Sequence, residues 1–360
     1  MSLSQKIRVL IVDDSAFMRK VIGDILSAGS GIEIIGKARN GDEAIAKARE
    51  LSPDVITLDM EMPGKNGLDV LREIMQIKPV PVVMVSSLTK GGANATMQAL
   101  NAGAVDFVTK PSGTISLDME KVADELRQKI IAASKASMKN AYGPGAEALT
   151  ERVQSMPAPL QPHAPRRDAL RKPELLVVAA STGGPNALQE VIPALPGDFP
   201  MPVMVVQHMP PGFTTSFASR LNELSELDVI EACDGMPVRR GTAIIAPGGY
   251  HLIVERTPKD LVCRLTETPP VRSVRPAADV LFASVSEVVG GNVITVVLTG
   301  MGRDGLDGAR LLRAKGAYVI TESKETCVIY GMPGAINEAG LSDEVLPIYS
   351  IAEAIERAAR

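Results

Sequence analysis

One pattern recurs along this chain: a short, wholly apolar run stops at a polar residue, and a helix-forming segment follows. The clearest case is Leu175–Ala180, which ends at Ser181 and is followed by a Thr-Gly-Gly-Pro turn and a helical segment from Asn186. Such runs predict strands that are buried on both faces, and their alternation with helices predicts parallel sheets with helices on both sides. We therefore expect an α/β protein.

Length and composition indicate a globular protein of two domains. The chain has 360 residues, of which 45% are hydrophobic and 22% charged, and its formal net charge is -4. Without a polybasic block, binding to nucleic acid or to an anionic membrane is not expected. The apolar runs are also too short to span a bilayer, so no membrane insertion is expected. Three cysteines without a CxxC pair and an N-terminus without a signal peptide predict a cytoplasmic protein with free thiols.

Residues 1–133 are predicted to form five strand–helix units. The first helix, from about Ala16 to Ser27, carries Phe17, Val21 and Ile25 at helical spacing. The predicted strands are Arg8–Val12, Ile32–Ala38, Asp54–Leu58, Val82–Val85 and Val105–Val108.

Polar side chains follow the first, third, fourth and fifth of these strands. They are Asp13, Asp14, Asp59, Ser86 and Lys110. The carboxyl ends of parallel strands build one site, and three carboxylates there repel each other unless a cation lies among them. Oxygen ligands suit Mg²⁺, and the lysine adds a charge for the same anion. A lone strand-end aspartate is usually a helix cap, but the whole set predicts a phosphorylation site with Asp59 as the nucleophile.

Four motifs in this region stand at the ends of predicted strands. They are Val12-Asp13-Asp14-Ser15, Leu58-Asp59-Met60-Glu61-Met62-Pro63, Val85-Ser86-Ser87 and Val108-Thr109-Lys110-Pro111. Over residues 6–130 the chain resembles a two-component receiver domain. The resemblance implies a flavodoxin-like (βα)5 fold in which Asp59 takes a phosphoryl group from a sensor kinase. It also implies that the Glu61 carbonyl joins the three aspartates around Mg²⁺, and that Ser86 and Phe107 form a switch pair that responds with Lys110.

A change of composition separates the two predicted domains. Between residues 134 and 172, proline is frequent among alanine, glycine and glutamine, without a sustained apolar period. This composition predicts a semi-extended, Pro-rich linker. The second domain is then predicted to cover residues 173–360 and to contain another parallel sheet.

Three strands of the second domain are predicted to bring Ser181, His208 and Asp304 to one edge of that sheet. The strand Val203–Val206 leads to His208, and Val293–Leu298 leads to the loop that carries Asp304. A neutral imidazole can accept the serine proton, and a carboxylate can hold the imidazole in the required tautomer. The amides after Ser181 lie near a helix N-terminus, where negative charge is stabilised. The pattern predicts a catalytic triad.

Other interpretations of these residues stay open. Ser181 and Asp304 could be helix caps and His208 a structural histidine, while His251 and Asp307 are rivals for the base and its partner. Two glycines after a strand could also indicate a nucleotide-binding module, although the full GxGxxG spacing is missing. A receiver-regulated protein that acts by binding alone is a further alternative.

Four motifs of the second domain lie at or near predicted strand ends. They are Ala180-Ser181-Thr182-Gly183-Gly184-Pro185, Val206-Gln207-His208-Met209, Ala246-Pro247-Gly248 and Leu298-Thr299-Gly300-Met301-Gly302-Arg303-Asp304-Gly305. On these motifs the second domain resembles the catalytic domain of chemotaxis protein-glutamate methylesterases of the CheB type. The resemblance implies hydrolysis of γ-glutamyl methyl esters on methyl-accepting chemotaxis receptors, deamidation of receptor glutamines, and no cofactor in this domain. It implies a chemotaxis sensor histidine kinase as the phosphodonor, and that Thr182 and the Met301 backbone N–H support the active site. It also implies that the unphosphorylated receiver covers that site. A serine esterase with another substrate is the alternative within this fold.

Overall fold

The computed structural model describes residues 6–28, 31–110, 117–138 and 173–360. The chain divides into two compact units, Met1–Gly143 and Pro144–Arg360, which are described separately below. Most of the predicted linker, 134–172, lies outside the described residues. The boundaries of the predicted domains therefore stay predictions.

The first unit contains a five-stranded parallel sheet in the order β2-β1-β3-β4-β5. This is the strand order of the flavodoxin-like fold, in which the ligand crevice opens where the order reverses, outside the carboxyl ends of β1 and β3. The strands are β1 Ile7–Val12, β2 Ile32–Ala38, β3 Val55–Asp59, β4 Val82–Ser86 and β5 Asp106–Thr109. The helices are α1 Ala16–Ser27, α2 Gly41–Leu51, α3 Gly67–Ile77, α4 Lys90–Asn101 and α5 Leu117–Ala133.

Side chains that the sequence places just before the helices determine where these helices begin. Ser15, Asn40, Asn66 and Thr89 each accept a hydrogen bond from a backbone N–H in the first turn of α1, α2, α3 and α4. Such caps satisfy amide donors that have no partner within the helix. The polar residues after the strands are therefore divided between caps and the site described below.

The buried face of α1 differs from the face that the spacing of Phe17, Val21 and Ile25 indicates. The helix buries Ile22, Gly23 and Leu26, whereas Phe17 is 72% exposed. The helix starts at the carboxyl edge of the sheet, so its first turn lies beyond the strands and only its later turns cover them. Periodicity predicted the helix correctly and the buried face incorrectly.

The second unit contains a seven-stranded parallel sheet and a separate two-stranded antiparallel hairpin. The strands are β6 Leu175–Ala180, β7 Val203–Gln207, β8 Asp228–Glu231, β9 Thr242–Ile245, β10 His251–Arg256, β11 Leu261–Thr266, β12 Val293–Val297, β13 Tyr318–Glu322 and β14 Glu344–Leu346. The helices are α6 Gly184–Val191, α7 Phe213–Leu224, α8 Ala278–Val288, α9 Leu306–Ala314, α10 Met332–Glu338 and α11 Ile348–Ala359. The order in the sheet is β14-β13-β12-β6-β7-β9-β8, and β10 and β11 form the hairpin. The short elements β8, β9, β14 and α10 were not predicted from the sequence.

The central strands β12, β6 and β7 form the scaffold for the site. All of their residues are buried. The pairs Val297–Ala179 and Ala180–Gln207 set the register, so the residues that follow the three strands emerge side by side at one edge. Burial on both faces keeps these strands rigid. Among the described residues, no helix is long and apolar enough to cross a membrane.

Candidate active site and phosphorylation site

The turn after β6 holds Ser181 at the carboxyl edge of the sheet, and two glycines make this turn possible. Gly183 has φ +78°, a conformation that favours glycine, and a Cβ atom there would lie 2.7 Å from the Val328 Cβ. A Cβ on Gly184 would lie 2.1 Å from the Gln207 Oε1. Helix α6 can therefore begin at Gly184, three residues after Ser181, only because both side chains are absent.

Ser181, His208 and Asp304 form one hydrogen-bonded line. The Nδ1 of His208 lies 3.0 Å from the Ser181 Oγ, and its Nε2 lies 2.8 Å from the Asp304 Oδ2. With a carboxylate at Nε2, the neutral imidazole carries its proton there, which leaves Nδ1 to accept the serine proton. The roles of the two ring nitrogens are thus exchanged relative to the chymotrypsin-type triad, in which Nε2 faces the serine and Nδ1 the aspartate.

The start of α8 holds the carboxylate of Asp304. The amides of Ala278 and Asp279 donate to Oδ2 and Oδ1 over 2.6 and 3.0 Å, and Asp304 is only 3% exposed. Burial acts to raise the pKa of Asp304, but the hydrogen bond and charge of His208 and these two amides bring the pKa below its ordinary value. The positive end of the α8 dipole acts in the same direction. Asp304 therefore stays ionised beside the imidazole.

The two rivals from the sequence have other partners. His251 is fully buried; its Nδ1 accepts from the Ala277 N–H over 3.2 Å, and its Nε2 donates to the Pro269 carbonyl over 3.2 Å. It thus holds the residue that precedes α8. Asp307 is exposed and pairs with Arg272 and Arg310. Neither residue forms a hydrogen bond or an ion pair with His208 or Ser181.

Two backbone segments lie beside Ser181, and both contain a residue that was predicted to support the active site. Thr182 is buried in the turn, and the Met301 N–H makes no hydrogen bond to any residue of the described ranges. Gly300 packs against the serine, since a Cβ on Gly300 would lie 2.9 Å from the Ser181 Cβ. Met301 thus follows directly after a residue in contact with the candidate nucleophile.

Sequence reasoning missed two residues at this edge, Gln207 and Glu322. The Nε2 of Gln207 donates to the Ser181 carbonyl over 3.0 Å. The Oε2 of Glu322 accepts from the Thr299 N–H over 2.8 Å. A signal for Glu322 was present, because it is the last residue of β13 and polar residues at strand ends of such sheets face the site.

The first unit gathers its acidic residues at the predicted crevice. Asp13, Asp14 and Asp59 each offer a carboxylate oxygen, and these three oxygens lie within 4.8 Å of one another. The Lys110 Nζ lies 2.7 Å from the Asp59 Oδ1 and 4.0 Å from the Asp13 Oδ2. The structure therefore brings together the carboxylates and the lysine that the strand ends predicted.

The electrostatics of this cluster fit a divalent cation. Burial and the charge of Asp59 raise the pKa of Asp13 to about 6, while burial and the charge of Asp14 raise the pKa of Asp59 against the opposing effect of Lys110. The Asp13 Oδ2 and Asp59 Oδ2 are buried and accept no hydrogen bond from the described residues. Oxygens of this kind are the preferred ligands of Mg²⁺, so the residues present suit the ion.

The predicted switch residues Ser86 and Phe107 lie on β4 and β5, the two strands on one side of β3. Ser86 is fully buried and accepts from the Thr96 Oγ1 over 2.8 Å, and Phe107 is also buried. The Glu61 N–H donates to the Asp59 Oδ1 over 3.1 Å, so this hydrogen bond does not occupy the Asp59 Oδ2. The part of the Glu61 carbonyl as a metal ligand stays a prediction.

Comparisons with known proteins agree over both units. The family model described as CheB methylesterase matches residues 176–355, and that described as response regulator receiver domain matches residues 9–120. The protein-glutamate methylesterase/protein-glutamine glutaminase of Symbiobacterium thermophilum is 48% identical over 370 residues, which cover 99% of this chain and 98% of that protein. The Geobacillus kaustophilus protein of the same name is 49% identical over 355 residues, 97% of either chain. The crystal structure of the Thermotoga maritima CheB methylesterase catalytic domain, 44% identical, matches 52% of this chain and 99% of that one with a TM-score of 0.51.

Proposed function

Because this chain belongs to the CheB family of chemotaxis protein-glutamate methylesterases and glutaminases that carry a receiver domain, we propose that Ser181, His208 and Asp304 perform its hydrolysis. The single observation that carries this assignment is the hydrogen-bonded line from the Ser181 Oγ through His208 to Asp304. A serine, a base and an orienting carboxylate within hydrogen-bond distance are the geometric signature of an activated nucleophile.

The chemistry follows from these contacts. The Ser181 Oγ attacks the γ-carbonyl carbon of a glutamyl methyl ester while the His208 Nδ1 takes the hydroxyl proton. The Met301 N–H, with support from Thr182, stabilises the oxyanion. His208 returns its proton to the departing methoxide, which releases methanol and leaves an acyl-enzyme. Water then attacks the acyl carbon while His208 takes its proton. The bond to the Ser181 Oγ breaks, His208 returns the proton to that oxygen, and the glutamate side chain is released.

The same steps accept a glutamine side chain. Its carbonyl is attacked in the same way, and the proton held at the His208 Nδ1 goes to the leaving nitrogen, which departs as ammonia. Asp304 stabilises the imidazolium in both reactions. The proposed mechanism uses no cofactor in the catalytic domain.

A labelling experiment tests the triad and separates it from a protein that acts by binding alone. A fluorophosphonate probe should label Ser181, and Ser181→Ala should abolish the label. Ser181→Ala or His208→Ala should also lower kcat for methanol release from methylated receptors by roughly 10⁴-fold or more, because removal of one triad member disables the unit. Near-normal activity of Ser181→Ala would refute the assignment. Labelling without methanol release would favour a serine esterase with another substrate.

We further propose that Asp59 is the phosphoryl acceptor of the receiver domain. Its Oδ2 is buried and accepts no hydrogen bond from the residues that the structure describes, and Lys110 and two further carboxylates lie nearby. Asp13, Asp14 and Asp59, with the Glu61 carbonyl, would hold Mg²⁺, which neutralises the transferring phosphoryl oxygens when bound. Ser86, Phe107 and Lys110 would respond to the new charge.

Phosphorylation of the wild-type chain with a small phosphodonor tests this second assignment. Incorporation of phosphate should require Mg²⁺ and should be lost in Asp59→Asn, which keeps basal methylesterase activity but loses stimulation. Phosphate that is incorporated into Asp59→Asn and retained in EDTA would refute both the acceptor and the metal.

The partners follow from the family and from the proposed sites. The receiver domain implies a phosphodonor kinase and the esterase implies methylated chemoreceptors. We propose that the kinase is a chemotaxis histidine kinase, that both partners are met in the cytoplasm, and that the unphosphorylated receiver inhibits the esterase. The inhibition predicts that unphosphorylated full-length protein is slower than a fragment that starts at residue 173.

A further inference from the structure

Glu322 is a buried carboxylate that the proposed mechanism does not use. It is 1% exposed and forms no ion pair with the described residues. Both of its oxygens accept hydrogen bonds: Oε2 from the Thr299 N–H over 2.8 Å, and Oε1 from the Thr326 Oγ1 over 2.9 Å. Burying an unpaired carboxylate costs stability, so a reason for its position must lie in what it contacts.

Thr299, the residue that Glu322 contacts, is joined to the nucleophile turn at two points. Its carbonyl accepts from the Ser181 N–H over 3.0 Å, and its Oγ1 donates to the Thr182 carbonyl over 3.0 Å. The Oγ1 also accepts from the Ile329 N–H over 2.9 Å. A single residue therefore connects the turn of the candidate nucleophile to a segment of the loop after β13.

The residues after Thr299 form the candidate oxyanion side of the site. The Gly300 N–H donates to the Ile329 carbonyl over 3.0 Å, and the Gly300 carbonyl accepts from the amides of Gly331 and Met332. The segment from Thr299 to Met301 is thus held between the nucleophile turn on one side and the 329–332 loop on the other. Glu322 anchors the start of this segment.

We propose that Glu322 and Thr299 are positioning residues that keep the Ser181 turn and the Gly300–Met301 segment in register with each other. This inference rests on the proposed function, because it assigns a task to residues behind the triad. Neither residue touches the reacting atoms. Misplacement of catalytic groups by about 1 Å is enough to cost on the order of 10²-fold in rate.

Four variants of the full-length chain test this role. Glu322→Leu removes both acceptors, whereas Glu322→Gln keeps an acceptor for the Thr299 N–H and can donate to the Thr326 hydroxyl. Thr299→Val removes only the Oγ1 links. Asp343→Leu is the matched control, since Asp343 also accepts a backbone N–H of β13, that of Val319, but at the other end of the strand.

The readouts are kcat and KM for methanol release, the rate of fluorophosphonate labelling at Ser181, and Tm. Glu322→Leu should lower kcat and the labelling rate by about 10–10²-fold with KM almost unchanged, because only the transition-state geometry is disturbed. Glu322→Gln should recover kcat to within about 3-fold of wild type, since it restores the acceptor. Thr299→Val should lower kcat by about 10-fold. Asp343→Leu should lower Tm and leave kcat unchanged.

Three results would overturn the positioning role: a folded Glu322→Leu protein with wild-type kcat, a Gln variant as slow as the Leu variant, or a control as slow as either. If Glu322→Leu does not fold, Thr299→Val decides, and wild-type kcat in that variant would refute the proposal. A wild-type chain that is not labelled at Ser181 would instead refute the proposed function, and the positioning role with it.

Discussion

Asp304→Asn is the change whose consequences the structure specifies most closely. Both carboxylate oxygens of Asp304 accept backbone amides, those of Ala278 and Asp279, and Oδ2 also accepts from the His208 Nε2. An asparagine side chain has one oxygen and one NH₂ group. In either orientation the NH₂ group faces an amide donor at the start of α8.

The two orientations have different costs. If the oxygen faces His208, the NH₂ group faces the Asp279 N–H, and one buried donor lacks an acceptor, which costs about 1–3 kcal/mol of stability. If the NH₂ group faces His208, it selects the tautomer with the proton on Nδ1, which cannot accept the Ser181 proton. A wrong tautomer costs about 10⁴-fold in kcat, equivalent to about 5.5 kcal/mol in the activation free energy.

We expect Asp304→Asn to lower kcat for methanol release by about 10³–10⁴-fold and to lower Tm by several degrees. Asp307→Asn is the matched control, because Asp307 stands three residues further on, is exposed and pairs with arginines only. It should leave kcat within about 3-fold of wild type. Wild-type turnover in Asp304→Asn, or a larger loss in Asp307→Asn, would refute the reasoning.

Two further predictions concern stability. His251→Phe removes the acceptor of the Ala277 N–H and the donor to the Pro269 carbonyl. Tm should therefore fall by an amount equivalent to about 1–3 kcal/mol, while kcat should fall by less than about 10-fold. A loss of kcat as large as that of His208→Ala would contradict the structural role of His251. Burial raises the pKa of Glu322 from 4.5 to about 6, so the folded state binds the Glu322 proton more tightly than the unfolded state does. This tighter proton binding stabilises the folded state fully below pH 4.5, and the stabilisation is lost as the pH rises through 6. As the pH is raised from 4.5 to 7, the free energy of unfolding of Glu322→Gln should therefore increase relative to that of the wild type by up to about 2 kcal/mol, measured by thermal unfolding. A difference in stability between the two proteins that does not change with pH would contradict the assignment.

The sequence alone predicted the elements whose stability depends on local pattern and complete burial. The predominantly apolar runs that became β6, β7 and β12 were recognisable because strands buried on both faces have few polar positions. The exposed or half-buried β8 and β14 lack that signal, since their pairing depends on neighbours far away in the chain.

The residues of the candidate site could likewise be predicted from the sequence in part only. Polar residues at the ends of buried strands are visible in the sequence, and parallel packing requires them to share an edge, so Ser181, His208, Asp59 and Lys110 could be named without coordinates. Only the tertiary structure decided that Asp304 and not Asp307 meets His208, that Nδ1 faces the serine, and that Glu322 lies beneath Thr299. These outcomes depend on strand register, helix starts and side-chain rotamers. Those are set by long-range packing, which a local sequence pattern does not contain.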